Sequence, residues 1–286
     1  MSARYFVRPL VLLLALAISA QSVPVFAQAA APAAQKPQTQ KPTQKPTYEP
    51  QVGQEGKDVV WVPTPQALVD KMLDMAKVTP QDFLMDLGSG DGRTVITAAK
   101  RGVRATGIEY NPDMVELSNR NAAAAGVGDK VKFMKADLFE TDLSQATVIT
   151  MFLLPTINMK LRPTILNLKP GTRIVSNTFT MEDWQADETQ TINDSGCTSW
   201  CTALLWIVPA KVEGSWQLPQ GDLKLTQQFQ VLTGSLGSTP ISDGKVRGRE
   251  VTFTAGGVKY TGNVDGNTMT GSATGGNGSS WTATRK

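Results

Sequence analysis

The chain has 286 residues, a formal net charge of +3, two cysteines and no histidine. The missing histidine excludes Ser-His-Asp hydrolysis, histidine general bases and His-bearing metal sites, and two cysteines cannot build a structural zinc site, so no metal is expected. Two positive charges, Arg4 and Arg8, lie at the very start and leave the remainder close to neutral; with no basic stripe interleaved with aromatics, no nucleic-acid partner is expected.

Residues 1–27 read as a secretory signal peptide. Arg4 and Arg8 precede an apolar run at residues 10–20 that is too short to span a bilayer comfortably. Val25-Phe26-Ala27 then offers small residues where a signal peptidase reads. Export, to the periplasm or beyond, is expected. The alternative is a membrane anchor through the uncleaved segment, on which Lys36, Lys41 and Lys45 bear because positive residues favour the cytoplasmic side. Residues 28–50, rich in Ala, Gln, Lys, Pro and Thr, read as a solvated, extended linker.

Residues 51–210 alternate helical and strand patterns, which argues for a mostly parallel sheet covered on both faces. Thr64-Pro65 opens a helix with Leu68, Val69, Met72, Leu73 and Met75-Ala76 at helical spacing. Phe83-Leu84-Met85-Asp86-Leu87 is a short buried strand that ends in the turn Gly88-Ser89-Gly90-Asp91-Gly92. A helical pattern follows at once. This is the first β-turn-α unit of a doubly wound sheet, where such folds bind nucleotide-like ligands. The spacing departs from the dinucleotide fingerprint, and Asp91 would repel a pyrophosphate. The ligand implied is a nucleoside without phosphates that carries positive charge. Asp91 reads equally as a cap of the following helix.

Further strands are expected at residues 103–109, 131–138, 146–154, 173–179 and 203–208, with helices at 112–125 and 156–168, the latter interrupted near Pro163. The second strand ends in Glu109 and the third runs to Asp137-Leu138.

Asp86-Leu-Gly88-Ser89-Gly90-Asp-Gly92 resembles motif I of the class I S-adenosylmethionine (SAM)-dependent methyltransferases. The resemblance implies a Rossmann-like, doubly wound, seven-stranded sheet, with SAM as cofactor. It implies that Asp86 orients the turn and faces the amino end of SAM. Gly88, Ser89, Gly90 and Gly92 would line the methionine and ribose region. Glu109 would grip the ribose hydroxyls, with Tyr110 and Asn111 flanking the adenosine, and Asp137 and Leu138 would hold the adenine edge. Thr64 is the implied partner of the methionine carboxylate.

Trp61-Val62-Pro63-Thr64-Pro65, Leu153-Leu154-Pro155, Asn158, Lys160-Leu161-Arg162-Pro163, the run at residues 168–176 and Asp183-Trp184 narrow this. Together, over residues 58–209, they resemble the ATP synthase c-subunit lysine N-methyltransferase family and its bacterial relatives. The chain departs from the bacterial pattern at one place. A His-Asp pair after the counterpart of Ser176 is replaced by Asn177-Thr178, so a role resting on that histidine does not operate here.

On the acceptor side, Met151-Phe152-Leu153-Leu154-Pro155 replaces the Asp/Asn-Pro-Pro-Tyr of many amine-directed relatives. This run, with Leu154 and Pro155 nearest the reactive methyl, would suit a dry channel that favours a neutral amine, and Asn158 is the nearest neutral polar group to meet it; the alternative is that Phe152, Leu153 and Leu154 are core. Leu153 reads as core. No general base can be named.

Cys197 and Cys201 flank Thr-Ser-Trp; in an exported chain a local disulfide is the leading reading and two free thiols the alternative. Residues 211–286 change character, with period-two alternation at 223–231 and turn signals at Asp243-Gly244, Gly256-Gly257, Asp265-Gly266 and residues 275–278. A small antiparallel β domain of six strands, a sandwich or open barrel without a roomy cavity, is expected. It reads as a docking module for an envelope partner or as a stabilising appendage.

Three functions remain open. The first is methylation of a protein lysine. The second is methylation of a small molecule, which needs a closed polar pocket near Pro155 and Asn158. The third is a non-catalytic SAM-fold module that binds a cell-envelope partner.

Overall fold

The computed structural model describes residues 48–193, 196–275 and 280–286. The signal-peptide reading, most of the linker and the end of the last glycine-rich turn signal lie outside the described residues.

Seven strands form the first sheet: β1 (Phe83–Leu87), β2 (Arg104–Glu109), β3 (Val131–Lys135), β4 (Val148–Met151), β5 (Arg173–Asn177), β6 (Glu188–Thr191) and β7 (Thr202–Ile207). Their order is β3-β2-β1-β4-β5-β7-β6. Strands β3 to β5 run parallel, and β7 is inserted antiparallel to both β5 and β6. Four helices cover it: α1 (Gln66–Met75), α2 (Arg93–Lys100), α3 (Pro112–Ala124) and α4 (Pro155–Ile165).

Side-chain alternation divides the sheet between two cores. Leu84, Val148 and Val175 pack with α1 and α2. Met85, Leu87, Ile149, Met151 and Ile174 point the other way, onto Ile157, Leu161 and Ile165 of α4. Both faces are buried, which is why these strands read as continuous apolar runs. The same alternation puts Asp86 and its register partner Thr150 side by side on the α1/α2 face.

Three local readings need correction. Pro163 does not interrupt α4, which runs on to Ile165 and forgoes the one backbone bond that Pro163 cannot donate to Met159. The fourth strand is only Val148–Met151; Leu154 and Pro155 already belong to the start of α4, with Pro155 at its first position, where its missing N–H costs nothing. Strand β6, Glu-Thr-Gln-Thr, gave no apolar signal because it is the polar sheet edge.

The C-terminal part is a closed barrel of eight strands, not a six-stranded sandwich or open barrel. The strands are β8 (Gly214–Leu218), β9 (Gly221–Gln228), β10 (Val231–Leu236), β11 (Thr239–Arg247), β12 (Glu250–Ala255), β13 (Val258–Asp265), β14 (Thr268–Thr274) and β15 (Ser280–Arg285). From β8 to β14 each follows its neighbour through a two-residue turn, which is how a short segment holds eight strands. Closure rests on two register pairs between β15 and β8. Trp216, Phe253, Tyr260 and Trp281 fill the interior with aliphatic residues. Asp243-Gly244 is a bulge within β11 and not a turn.

Gly237, Gly248, Gly256 and Gly266 sit in four of the two-residue turns at positive φ. Phe229 opens the β9–β10 turn at φ 53° without that freedom. Its ring stacks 5.8 Å from Trp184 of the first domain. Nearby, Gln230 Nε2 donates to the Gln185 carbonyl at 2.7 Å. Asp187, its side chain enclosed, accepts from Ile207 N at 2.9 Å and faces Lys245 of the barrel at 3.3 Å. Asp187→Ala strands the Ile207 N–H, while Lys245 stays in water, and is expected to lower stability by roughly 1–3 kcal/mol. Urea unfolding measures this; a change below roughly 0.5 kcal/mol would remove Asp187 from the junction.

Candidate active site

The C-terminal ends of β1, β2 and β4 open onto one cleft of about 250 Å³. Backbone geometry builds its floor. Gly88, Gly90 and Gly92 all sit at positive φ. A Cβ on Gly90 would lie 2.7 Å from the Trp61 indole nitrogen, and one on Gly92 would lie 2.7 Å from the Phe133 ring. The turn therefore has to be glycine for packing as well as conformation. Asp91 accepts from Arg93 N at 3.2 Å and pairs with the Arg93 guanidinium at 2.6 Å. It thus ties down the start of α2, while still lining the cleft.

Glu109 clamps the turn. Its Oε2 accepts from Gly90 N and its Oε1 from Asn111 N, each at 2.9 Å. Asn111 in turn caps α3, accepting from Asp113 N at 2.9 Å. Glu109 also lines the cleft, and each of its oxygens keeps a lone pair to which a ribose hydroxyl can donate.

Asp86 is buried, and its one hydrogen bond comes from Thr150 Oγ1 at 2.7 Å. Its carboxyl is pushed up to about 7, first by burial and then by the nearby Asp91 and Glu109 charges; the Thr150 bond pulls the other way. Arg93 answers Asp91, but among the described residues no cation pairs with Asp86 or Glu109, and two such acids at one end of a cleft call for a cation. The Ser89 hydroxyl is also buried without a partner. An ammonium-bearing nucleoside supplies the positive charge this set lacks, so the residues fit SAM.

At the other end, Asp137 Oδ2 holds Lys57 Nζ at 2.5 Å, and Oδ1 accepts from Phe139 N at 2.9 Å. Lys57 keeps the Asp137 carboxyl below its usual range, and Asp137 raises the lysine in return. Lys57 also lies over the Tyr110 ring, 4.8 Å from its centroid. It belongs to a strap, residues 54–64, that closes one side of the cleft. Arg93 Nη1 anchors the strap's end on the Thr64 carbonyl at 2.9 Å. The Thr64 hydroxyl accepts from Asn177 Nδ2 at 3.3 Å. Sequence reasoning overlooked the strap lysine, whose 80-residue separation from Asp137 leaves no local signal.

Of the residues singled out above, Thr64, Asp86, Gly88, Ser89, Gly90, Glu109, Tyr110, Asn111, Asp137, Leu138 and Leu154 line the cleft. Gly92 packs behind it against Phe133, and Pro155 starts α4. Asn158 is the correction. It does not meet an incoming amine, because it is completely buried and its Nδ2 donates to the carbonyls of Phe179 and Thr180 at 3.2 and 3.1 Å. It positions the segment after β5, together with Ser176 Oγ, which donates to the Phe179 carbonyl at 2.7 Å.

That segment carries a feature the sequence concealed. Phe152, Phe179 and Trp200 follow β4, follow β5 and precede β7, three adjacent strands. Their rings converge with centroid separations of 5.2–6.1 Å and wall the cleft's mouth beside Leu154.

A parallel sheet in this order, with β7 reversed, an acid near the end of β1 and a ribose-ready acid closing β2, defines a class I SAM-dependent methyltransferase. Residues 86–188 match the family model described as the ANTKMT methyltransferase domain. A protein-lysine N-methyltransferase of Saccharolobus islandicus is 40% identical over 153 residues, 52% of this chain and 94% of that protein. The mouse ATP synthase c-subunit lysine N-methyltransferase is 38% identical over 107 residues, 37% of this chain but only 43% of that protein. A solved RNA methyltransferase of Salinibacter ruber in complex with S-adenosyl-L-homocysteine (SAH) is 47% identical, covers 53% of this chain and 96% of that one, and superposes with a TM-score of 0.48. The chain belongs to this family of SAM-dependent methyltransferases, and its cofactor is SAM.

Proposed function

We propose that this protein methylates the side-chain amine of a lysine in a protein substrate. The observation that carries it is the mouth formed by Phe152, Leu154, Phe179 and Trp200, continuous with the cofactor cleft. The names of the archaeal and mouse relatives supply the acceptor class.

SAM, when bound, supplies a methyl group on a positively charged sulfur, which becomes a neutral thioether as an amine lone pair takes the methyl. The protein's work is alignment. Asp86 fixes the amino end, Glu109 the ribose, and Asp137 with Lys57 the adenine edge. The acceptor side has no titratable side chain among Phe152, Leu153, Leu154, Phe179 and Trp200. The amine therefore gives its proton to water before it attacks, and the aliphatic side of the mouth, Leu153 and Leu154, favours the neutral, nucleophilic form. The rate should rise about tenfold per pH unit below the amine's own pKa, since only the neutral fraction reacts. A pH–rate profile under saturating SAM checks this; a flat profile between about pH 6 and 8 would mean that the enzyme itself takes the proton.

An apolar mouth suits the methylene chain of a lysine better than it suits a small polar molecule. A closed polar pocket near Pro155 and Asn158 would favour the second, and Asn158 is sealed away. We place the protein outside the cytoplasm as part of the same proposal. The bridge between Cys197 and Cys201, which uses both cysteines of the chain, supports an oxidising compartment. Among the described residues no helix is long and apolar enough to cross a membrane.

The test is incubation of the full chain with methyl-labelled SAM and separate envelope and cytosolic protein fractions, followed by acid hydrolysis. Label in Nε-methylated lysine, absent with Glu109→Ala, is the expected result. Label confined to small molecules would overturn the lysine assignment.

A further inference from the structure

We propose that Phe152, Phe179 and Trp200 form a recognition site for a methylated ammonium group, and that the Cys197–Cys201 bridge holds Trp200 in that site. The inference deepens the lysine-methyltransferase reading and rests on it.

The three rings sit where the sheet's parallel strands end. Phe179 lies 5.9 Å from Phe152 and 5.2 Å from Trp200, and the Phe152–Trp200 separation is 6.1 Å. Two of the walls are fixed by the fold. Phe152 leaves β4 directly, and Phe179 is pinned through its carbonyl by Asn158 and Ser176. The third is not fixed in this way. Trp200 is 44% exposed and stands at φ 57°, a conformation unfavourable for a bulky residue. The bridge joins Cys197 to Cys201 across that residue, closing a five-residue ring immediately before β7. The ring forces the chain back on itself and turns the indole toward Phe179.

Aromatic faces attract cations, and they prefer a methylated ammonium because it sheds water more readily than a primary one. Such a site retains a lysine that already carries methyl groups, which favours repeated transfer to one amine. A dithiol reduces the bridge by two electrons, giving two cysteine thiols and a cyclic disulfide of the reductant. Trp200 is then released to ordinary backbone angles and the third wall is lost, while the cofactor cleft behind it stays intact.

The probes are Nα-acetyl-Nε-trimethyl-lysine amide and its neutral counterpart Nα-acetyl-norleucine amide, titrated into the SAH-loaded full chain. The oxidised protein should bind the cation about tenfold more tightly than the neutral probe. Trp200→Tyr should keep most of that preference. Trp200→Leu, equally apolar but without a ring face, should lose it. The double variant Cys197→Ser, Cys201→Ser should lose it too, as should the dithiol-treated protein. SAH affinity should stay unchanged throughout. No preference for the cation in SAH-binding oxidised protein, or a preference that survives Trp200→Leu, overturns the site. A preference that survives in the double serine variant overturns the role of the bridge. Failure of the unaltered chain to bind SAH would instead count against the underlying methyltransferase reading.

Discussion

Asp86→Asn should abolish SAM binding and, above neutral pH, make the ligand-free protein more stable. The unfolded carboxyl titrates near 3.8 and the folded one near 7. Between those values the folded state binds the extra proton, so stability falls as pH rises through that window. It is greatest below the unfolded value, and above 7 the full cost is reached, roughly 4 kcal/mol for a shift of about three units. Asparagine keeps the shape and the Thr150 hydrogen bond and removes the charge, so the pH slope should disappear. Binding runs in the opposite direction. The cationic amino group needs the carboxylate, so SAM affinity should rise with pH up to about 7 and then level off. Below 7 each binding event should release a proton, which calorimetry detects by comparing buffers of different ionisation enthalpy. Loss of a buried charge partner corresponds to roughly 3–5 kcal/mol, more than a hundredfold in affinity. Full affinity in Asp86→Asn, or binding indifferent to pH between about 5.5 and 8, would show that the amino group lies elsewhere.

Glu109→Ala carries the second large effect, and here stability and binding fall together. Removing the carboxylate deprives Gly90 N and Asn111 N of their acceptor. Each stranded N–H costs about 1–2 kcal/mol where water cannot reach it. The turn loosens and the ribose loses both acceptors at once, so SAM affinity should drop more than about a hundredfold. Circular dichroism should still report a folded protein with a lower melting temperature. Affinity within about threefold of the unaltered chain would refute the ribose assignment.

The cofactor side was legible because its signals are local. A glycine turn between a buried strand and a helix, with acids at the ends of β1 and β2, is written in consecutive residues. Asn158 was misjudged because its burial depends on how the segment at Phe179 folds over it, twenty-odd residues away. Phe152, Phe179 and Trp200 come from three separate strand ends, and nothing in their spacing announces that they meet. Lys57 reaches Asp137 from a stretch with no periodic pattern. In the barrel, alternation marked strands well enough, but closure depends on two pairs between its first and last strands, which no local pattern encodes. Asp243-Gly244 has the chemistry of a turn, and register with β12 makes it a bulge instead.

The closed barrel also bears on how the protein behaves when crowded. Among the described residues every strand of the closed barrel pairs with a neighbour on both sides, the last with the first through two register pairs, so no strand offers a wholly free edge for another chain to extend. The seven-stranded sheet ends at β3 and β6. The first carries Lys132 and Lys135 and the second is Glu-Thr-Gln-Thr. Charge and polarity at a free edge discourage strand addition between molecules. Among the described residues, neither sheet therefore presents an apolar edge on which intermolecular β-structure could nucleate, and concentrated solutions of the folded protein should resist fibril formation.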